Sequence, residues 1–311
     1  MKKEKQWLAD LSLLLIAVVW GSSYLATKVV LSDIAVFPFL FIRFMLTVII
    51  MALLTWKKCV KASIHTWLSG IIFGLFLSGI FTSETWGING TSATNAGFLI
   101  SLFVVFTPIM ESIMFRTRLN VGILGSVLLS VIGTFFLTMK DGYQFNIGDV
   151  LILVAALLRA VQMTVTQKMT NGRDMDSRVL VTIQLSVVAV IMGILSLTTE
   201  GIHAFVVPSS MRFWLLTAYL AIFCTLFAFY IQLTMIRRTS PTRVGLLMGT
   251  EPLFSALFAV FLGGEHLSVQ EWLGGLLIVA ATYYGRHMET RIRIKDRMDK
   301  NNTNTSAVDA K

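Results

Sequence analysis

The chain has 311 residues, of which 55% are hydrophobic and only 14% charged, and it carries a formal net charge of +9. A water-soluble domain needs about 25% charged residues to cover its surface, so a soluble enzyme is disfavoured, and the abundance of apolar residues argues against disorder. Two cysteines, Cys59 and Cys224, supply neither a disulfide framework nor a CxxC metal pattern.

A hydrocarbon core of about 30 Å takes about 20 apolar residues per helix. In chain order such runs predict ten membrane spans, at residues 8–31, 37–56, 67–87, 93–115, 119–138, 147–169, 178–198, 211–236, 241–263 and 270–288. The connections are short, with no room for a separate soluble domain. The first run continues through Trp20-Gly21-Ser22-Ser23-Tyr24 and is followed by nine more, so it reads as a span and not as a signal peptide. Residues 289–311 are expected to form a basic, then polar, disordered cytoplasmic tail.

Lysine and arginine set orientation in a membrane. With the N-terminus inside, 21 of the 26 Lys and Arg fall on the cytoplasmic side, including Lys57, Lys58, Arg237, Arg238 and Arg243. Only Lys140 and Arg212 fall outside, while Lys28, Arg43 and Arg159 lie within spans. The expected topology is multi-pass in the bacterial cytoplasmic membrane with both termini cytoplasmic. The basic charge is a ring at the membrane surface, so no nucleic-acid partner is expected.

The two halves align. Thr91-Ser92-Ala93-Thr94-Asn95-Ala96-Gly97 matches Thr239-Ser240-Pro241-Thr242-Arg243-Val244-Gly245 at an offset of 148, and span 1 resembles span 6 at an offset near 139. Five spans then fall in each half, residues 8–138 and 147–288. An odd number per half inserts the second copy upside down, and the loops agree. Arg116-Thr117-Arg118 follows span 4, whereas the equivalent loop after span 9, Gly263-Gly264-Glu265-His266, has no Lys or Arg. The expected fold class is an all-α polytopic membrane protein, ten transmembrane helices in a 5+5 inverted repeat, with a substrate site near the midplane.

Residues 91–97 running into FLISLFVVFTPI, and above all residues 239–281 (TSPTRVGLLMGTEPLFSALFAVFLGGEHLSVQEWLGGLLIVAA), resemble EamA-type members of the drug/metabolite transporter superfamily. Trp20–Tyr24 and Arg43 (FLFIRF) resemble the family pattern as well. The resemblance covers about residues 8–286 and implies ten helices and movement of small metabolites, often outward. Arg159 and Glu111 depart from the family pattern.

An ionisable group at a helix centre costs about 2.5–3.5 kcal/mol on insertion scales, which makes each one a functional candidate. Glu251 lies mid-span, followed by Pro252, and is positioned to carry a proton or bind a cationic group. Arg159 lies at similar depth and can pair with Glu251 or take an anionic substrate group. Arg43, Lys28 and Glu84 sit in outer halves of their spans, as an external vestibule or gate. Glu111 reads as a snorkelling group or a partner of Arg116 or Arg118. The expected substrate and ion pathway comprises Trp20, Tyr24, Arg43, Glu84, Arg159, Gln162, Gln232 and Glu251, with Pro108 and Pro252 as kinks that let the halves rock. Gly70-x-x-x-Gly74 and Gly245-x-x-x-Gly249 are expected to allow close helix packing. The four histidines (His65, His203, His266, His287) fall in loops or at ends, so no metal site and no cofactor are expected.

The expected function is secondary active transport, as an exporter of a small metabolite, an amino-acid-like compound or a drug, by alternating access and with proton coupling through Glu251. No Walker motif points to ATP, and no paired catalytic groups point to an enzyme. Import of a small nutrient, lipid flipping and a non-transporting sensor are the alternatives. The partners expected are a small-molecule substrate, the bilayer and protons, with monomer and homodimer both open.

Overall fold

The computed structural model describes residues 3–91, 93–117, 119–138, 146–201, 207–263 and 268–309. Every element among them is helical: α1 (Lys3–Val30), α2 (Val36–Val60), α3 (Ile64–Gly90), α4 (Ala93–Ser101), α5 (Phe103–Phe115), α6 (Val121–Thr138), α7 (Ile147–Thr170) and α8 (Ser177–Glu200). These are followed by α9 (Met211–Tyr219), a π-helical segment (Leu220–Phe227), α10 (Ala228–Arg238), α11 (Pro241–Met248), α12 (Glu251–Gly263) and α13 (Val269–Asp309). Local sequence starts several of them. Ser63 accepts from the Thr66 amide at α3, Asn146 and Asp149 form a capping box on α7, and Ser240 precedes Pro241 at the first turn of α11.

Ten spans result. The fourth is α4 with α5, the eighth is α9 with the π segment and α10, the ninth is α11 with α12, and the tenth is the first part of α13. Seven are crossing helices by length and hydropathy alone. The chain is an all-α polytopic membrane protein built as a 5+5 inverted repeat. The inversion is visible in which ends meet. Asp10, early in α1, contacts Arg243 and Arg286, whereas Asp149 at the start of α7 accepts from Thr91 beyond the far end of α3. The first half therefore begins on the face that carries both termini, here the terminal face, and the second half begins on the opposite, far face.

Two spans are interrupted at matching positions. Span 4 breaks at Leu102 and span 9 at Gly249–Thr250, and Leu102 and Thr250 are separated by the same 148 residues as the sequence alignment. Discontinuous helices at equivalent places in inverted repeats are what secondary carriers use to present backbone ends to a central site. Pro252 lies at the second residue of α12, just past its break, where a missing amide costs little. Pro108 lies inside α5, six residues beyond the break at Leu102, so the interruption of span 4 is not at the proline.

Packing obeys the same symmetry. Spans 3 and 4 lie on span 6 (α3, α4 and α5 on α7), and spans 8 and 9 lie correspondingly on span 1. Two groups result, spans 3, 4 and 6 and spans 1, 8 and 9, flanked by the pairs α2–α8 and α6–α13. Small residues permit the closest approaches. A Cβ on Gly74 would lie 2.6 Å from Val187 Cβ, and one on Gly249 would lie 2.6 Å from Val104 Cγ2, in keeping with the packing role expected of both GxxxG pairs.

The tail differs from expectation. Helix α13 continues past the tenth span to Asp309 instead of ending near residue 288. Residues 289–309 contain neither Gly nor Pro, and Glu289 is held by Ser240 and Arg243, so nothing local stops the helix where the apolar run stops.

Candidate functional site

The two groups meet on a cluster of buried charge. Arg159 of α7 lies between Glu84 of α3, with Nη2 3.6 Å from Oε2, and Glu251 of α12, with Nη1 3.5 Å from Oε2. Its guanidinium is stacked between aromatic faces, 4.5 Å from the Trp20 ring centroid and 5.2 Å from that of Phe103. Tyr24 donates a short hydrogen bond to Glu251 Oε1. Glu84 belongs to the same helix group as Arg159, and Glu251 to the other. The cluster thus contains one ion pair within a group and one between groups.

Both ion pairs are longer than a hydrogen bond. Arg159 Nη1, Glu84 Oε2 and Glu251 Oε2 are buried and have no hydrogen-bond partner among the described residues. Leaving such groups unmatched is costly, which marks them as atoms that can engage a ligand. They line a cavity together with Trp20, Arg43 and Phe81. Its volume is about 20 Å³, close to the room one water needs and far below the roughly 300–1,000 Å³ of a small-molecule site. The site is contracted, with Arg159 and the two carboxylates filling it themselves.

The π-helical segment positions the rest. Its winding is i→i+5, and neighbouring side chains donate to its carbonyls. Trp20 Nε1 donates to Cys224 O at 2.8 Å, and Thr47 Oγ1 to Ala221 O at 3.1 Å. Thr225 accepts from Arg43 Nε at 2.8 Å while donating to Leu220 O. Arg43 also lies 5.1 Å from the Phe81 ring centroid. It faces the cavity as a held cation and pairs with neither glutamate.

Of the residues singled out in the sequence, Trp20, Tyr24, Arg43, Glu84, Arg159 and Glu251 are brought together here. Gln162 and Gln232 are not. Gln162 bonds the Phe73 carbonyl and Gln232 reaches Met248 Sδ, each within helix packing. Pro108 lines a separate terminal-face cavity of about 500 Å³. Lys28 bonds Thr91 O at 3.0 Å on the far side. Glu111, whose expected partner Arg118 lies outside the described residues, also reaches across to the other helix group. Its carboxylate accepts from both the amide and the hydroxyl of Thr242, joining span 4 to the start of α11.

Sequence reasoning missed the most buried charge cluster. Arg243 is 1% exposed, and its guanidinium takes Asp10 through three contacts of 2.8–2.9 Å, Glu289 at 3.0 Å and Thr290 at 2.9 Å. It follows a span boundary among other basic residues and reads as one more loop charge. Its signal was the Asp10 carboxylate, a lone acid inside the first apolar run.

An inverted repeat with broken helices around a buried polar site defines a secondary-transporter architecture. The sequence pattern of the EamA-like transporter family matches residues 7–139 and again residues 146–284, and the chain belongs to that family. Two proteins of Archaeoglobus fulgidus, each described as an uncharacterized transporter, are similar to it. One is 27% identical over 277 residues, covering 89% of this chain and 85% of the relative. The other is 27% identical over 286 residues, covering 88% of this chain and 95% of the relative. A solved crystal structure superposes with a TM-score of 0.73 over 91% of this chain and 98% of its own, at 18% identity, and so shares the fold.

Proposed function

We propose that this EamA-family transporter is a proton-coupled exporter of a small, net-neutral polar metabolite of amino-acid-like character, residing in the cytoplasmic membrane with both termini inside. The observation that carries the reading is Arg159, paired to Glu84 within its own helix group and to Glu251 across the interface. Two arginines, Arg43 and Arg159, face two carboxylates around the cavity, so the site sums to zero charge. A ligand with net charge would leave one buried charge uncompensated, a state worth several kcal/mol. A zwitterion leaves the balance intact. Its carboxylate takes Arg159 and its ammonium takes a glutamate, replacing the internal pairs as the cavity widens.

Proton coupling follows from the same geometry. A proton on Glu251 removes the charge that holds Arg159 across the interface, and Arg159 then remains with Glu84 alone. The two groups are then free to separate. The excess of Lys and Arg on the terminal face supports its assignment to the cytoplasm.

The test begins with metabolites in cells lacking and overproducing the protein. An exported compound accumulates inside the deletion strain. That compound is then followed in proteoliposomes bearing a pH gradient. Glu251→Gln is expected to lose the response to the gradient while still binding substrate. Full transport with full pH response in that variant overturns the coupling, and depletion inside the deletion strain overturns export.

A further inference from the structure

A cavity on the terminal face, away from the central site, has a different chemistry. It lies between α10 and the connection from α7 to α8, has a volume of about 590 Å³, and is lined by Arg173, Arg178, Arg237 and Arg238 with Asp174 and Asp176. The balance of its lining is two positive charges. Asp176 is already engaged: burial raises its carboxyl, but hydrogen bonds from Arg178 and Lys58 outweigh this and hold it at about 2. Arg173 and Arg238 are exposed and form no ion pair among the described residues.

Two buried donors in the wall are unsatisfied. Thr234 is only 8% exposed, and its hydroxyl has no hydrogen-bond partner among the described residues. Arg237 staples the connection by donating to Met175 O and Ser177 Oγ, yet its Nε is buried without a partner. Orphaned donors beside surplus arginines call for an acceptor-rich anion, and guanidinium forks match phosphate oxygens. The cavity also has depth. Arg238 and Tyr230, both in its lining, stand two turns apart on α10, about 12 Å along the helix axis. Tyr230 is 36% exposed there.

We propose that this cavity binds the phosphate of an anionic membrane lipid, with the headgroup among the arginines and the chains leaving along α10 past Tyr230. A basic pocket between helices at the positively charged face is the setting in which such headgroups bind. Occupancy would clamp span 8 to the connection between spans 6 and 7.

The test uses the full-length protein in nanodiscs of phosphatidylcholine, with and without phosphatidylglycerol. Phosphatidylglycerol is expected to raise the unfolding temperature by about 5 °C, the shift a saturating ligand gives a chain of this size. The Arg173→Gln/Arg238→Gln variant is expected to lose most of that rise. Lys57→Gln/Lys61→Gln, which removes the same charge from the same face outside the cavity, is expected to keep it. Equal loss in both variants, or no rise in the wild-type protein, overturns the proposal. So does an equal rise from millimolar inorganic phosphate in phosphatidylcholine alone, which would identify a soluble anion as the ligand.

Discussion

At the scale of single residues, the largest fully buried side chain is Arg243, not a member of the central site. It joins the start of span 1, through Asp10, to span 10, through Glu289. Removing one member of a buried ion network strands the others, at a cost of about 3–5 kcal/mol. Arg243→Leu is therefore expected to destabilise the protein by that amount in denaturant unfolding in detergent, whereas an exposed arginine such as Arg178 should tolerate the same change with little loss. The sequence placed Arg243 at the membrane surface because neighbouring basic residues belong there. Burial came from a carboxylate 233 positions away, a separation no local pattern encodes. Arg159 differs: its mid-span position alone made it a candidate, and only its partners awaited the fold.

At the scale of elements, glycine spacing and helix interruptions separate packing from signalling. Gly249 sits against Val104 where α11 crosses α5, whereas a Cβ on Gly125 would meet nothing within 4 Å. Gly249→Val should overpack the crossing and cost about 1–3 kcal/mol, while Gly125→Ala should be neutral or slightly stabilising through helix propensity. Thermal unfolding of the two variants side by side checks both. The break in span 9 was marked in the sequence by Gly249 and Pro252, but its counterpart at Leu102 carries no such residue. It follows from symmetry, since the second half repeats the first. The π segment was invisible as well. LAIFCTLF is an ordinary apolar run, and its winding goes with side chains from spans 1 and 2 that donate to its carbonyls.

For the whole molecule, the relevant motion is the separation of spans 3, 4 and 6 from spans 1, 8 and 9. The terminal-face side of that interface is closed by Glu111 on Thr242, by Gln167 on Thr239 O at 3.1 Å, and by Phe103 and Thr107 against Gly245. Glu111→Gln replaces a charge-assisted contact at a helix N-terminus by a neutral one, and it is expected to loosen this closure. In a background with Cys59 and Cys224 replaced by serine, Thr107→Cys should react several-fold faster with a membrane-impermeant thiol reagent when Glu111→Gln is present. An unchanged rate would mean that the closure does not depend on Glu111.

The opening figures of 55% hydrophobic residues and a net charge of +9 already decided the solvent, because too few charges exist to cover a water-facing surface. Run lengths then decided the number of spans, and the repeat decided their inversion, since an odd number of crossings reverses the second copy. These are properties of neighbours along the chain. Which charges share a site is a property of neighbours in space. Glu84, Arg159 and Glu251 stand far apart in sequence and meet because α3 packs on α7 in one group, α12 packs on α1 in the other, and the two groups face each other there. Arg243 left the membrane surface, and Gln162 and Gln232 the cavity, for the same reason. In a membrane every span is apolar, so the hydrophobic pattern that orients helices in water has little to say about which face turns inward, and packing makes that choice.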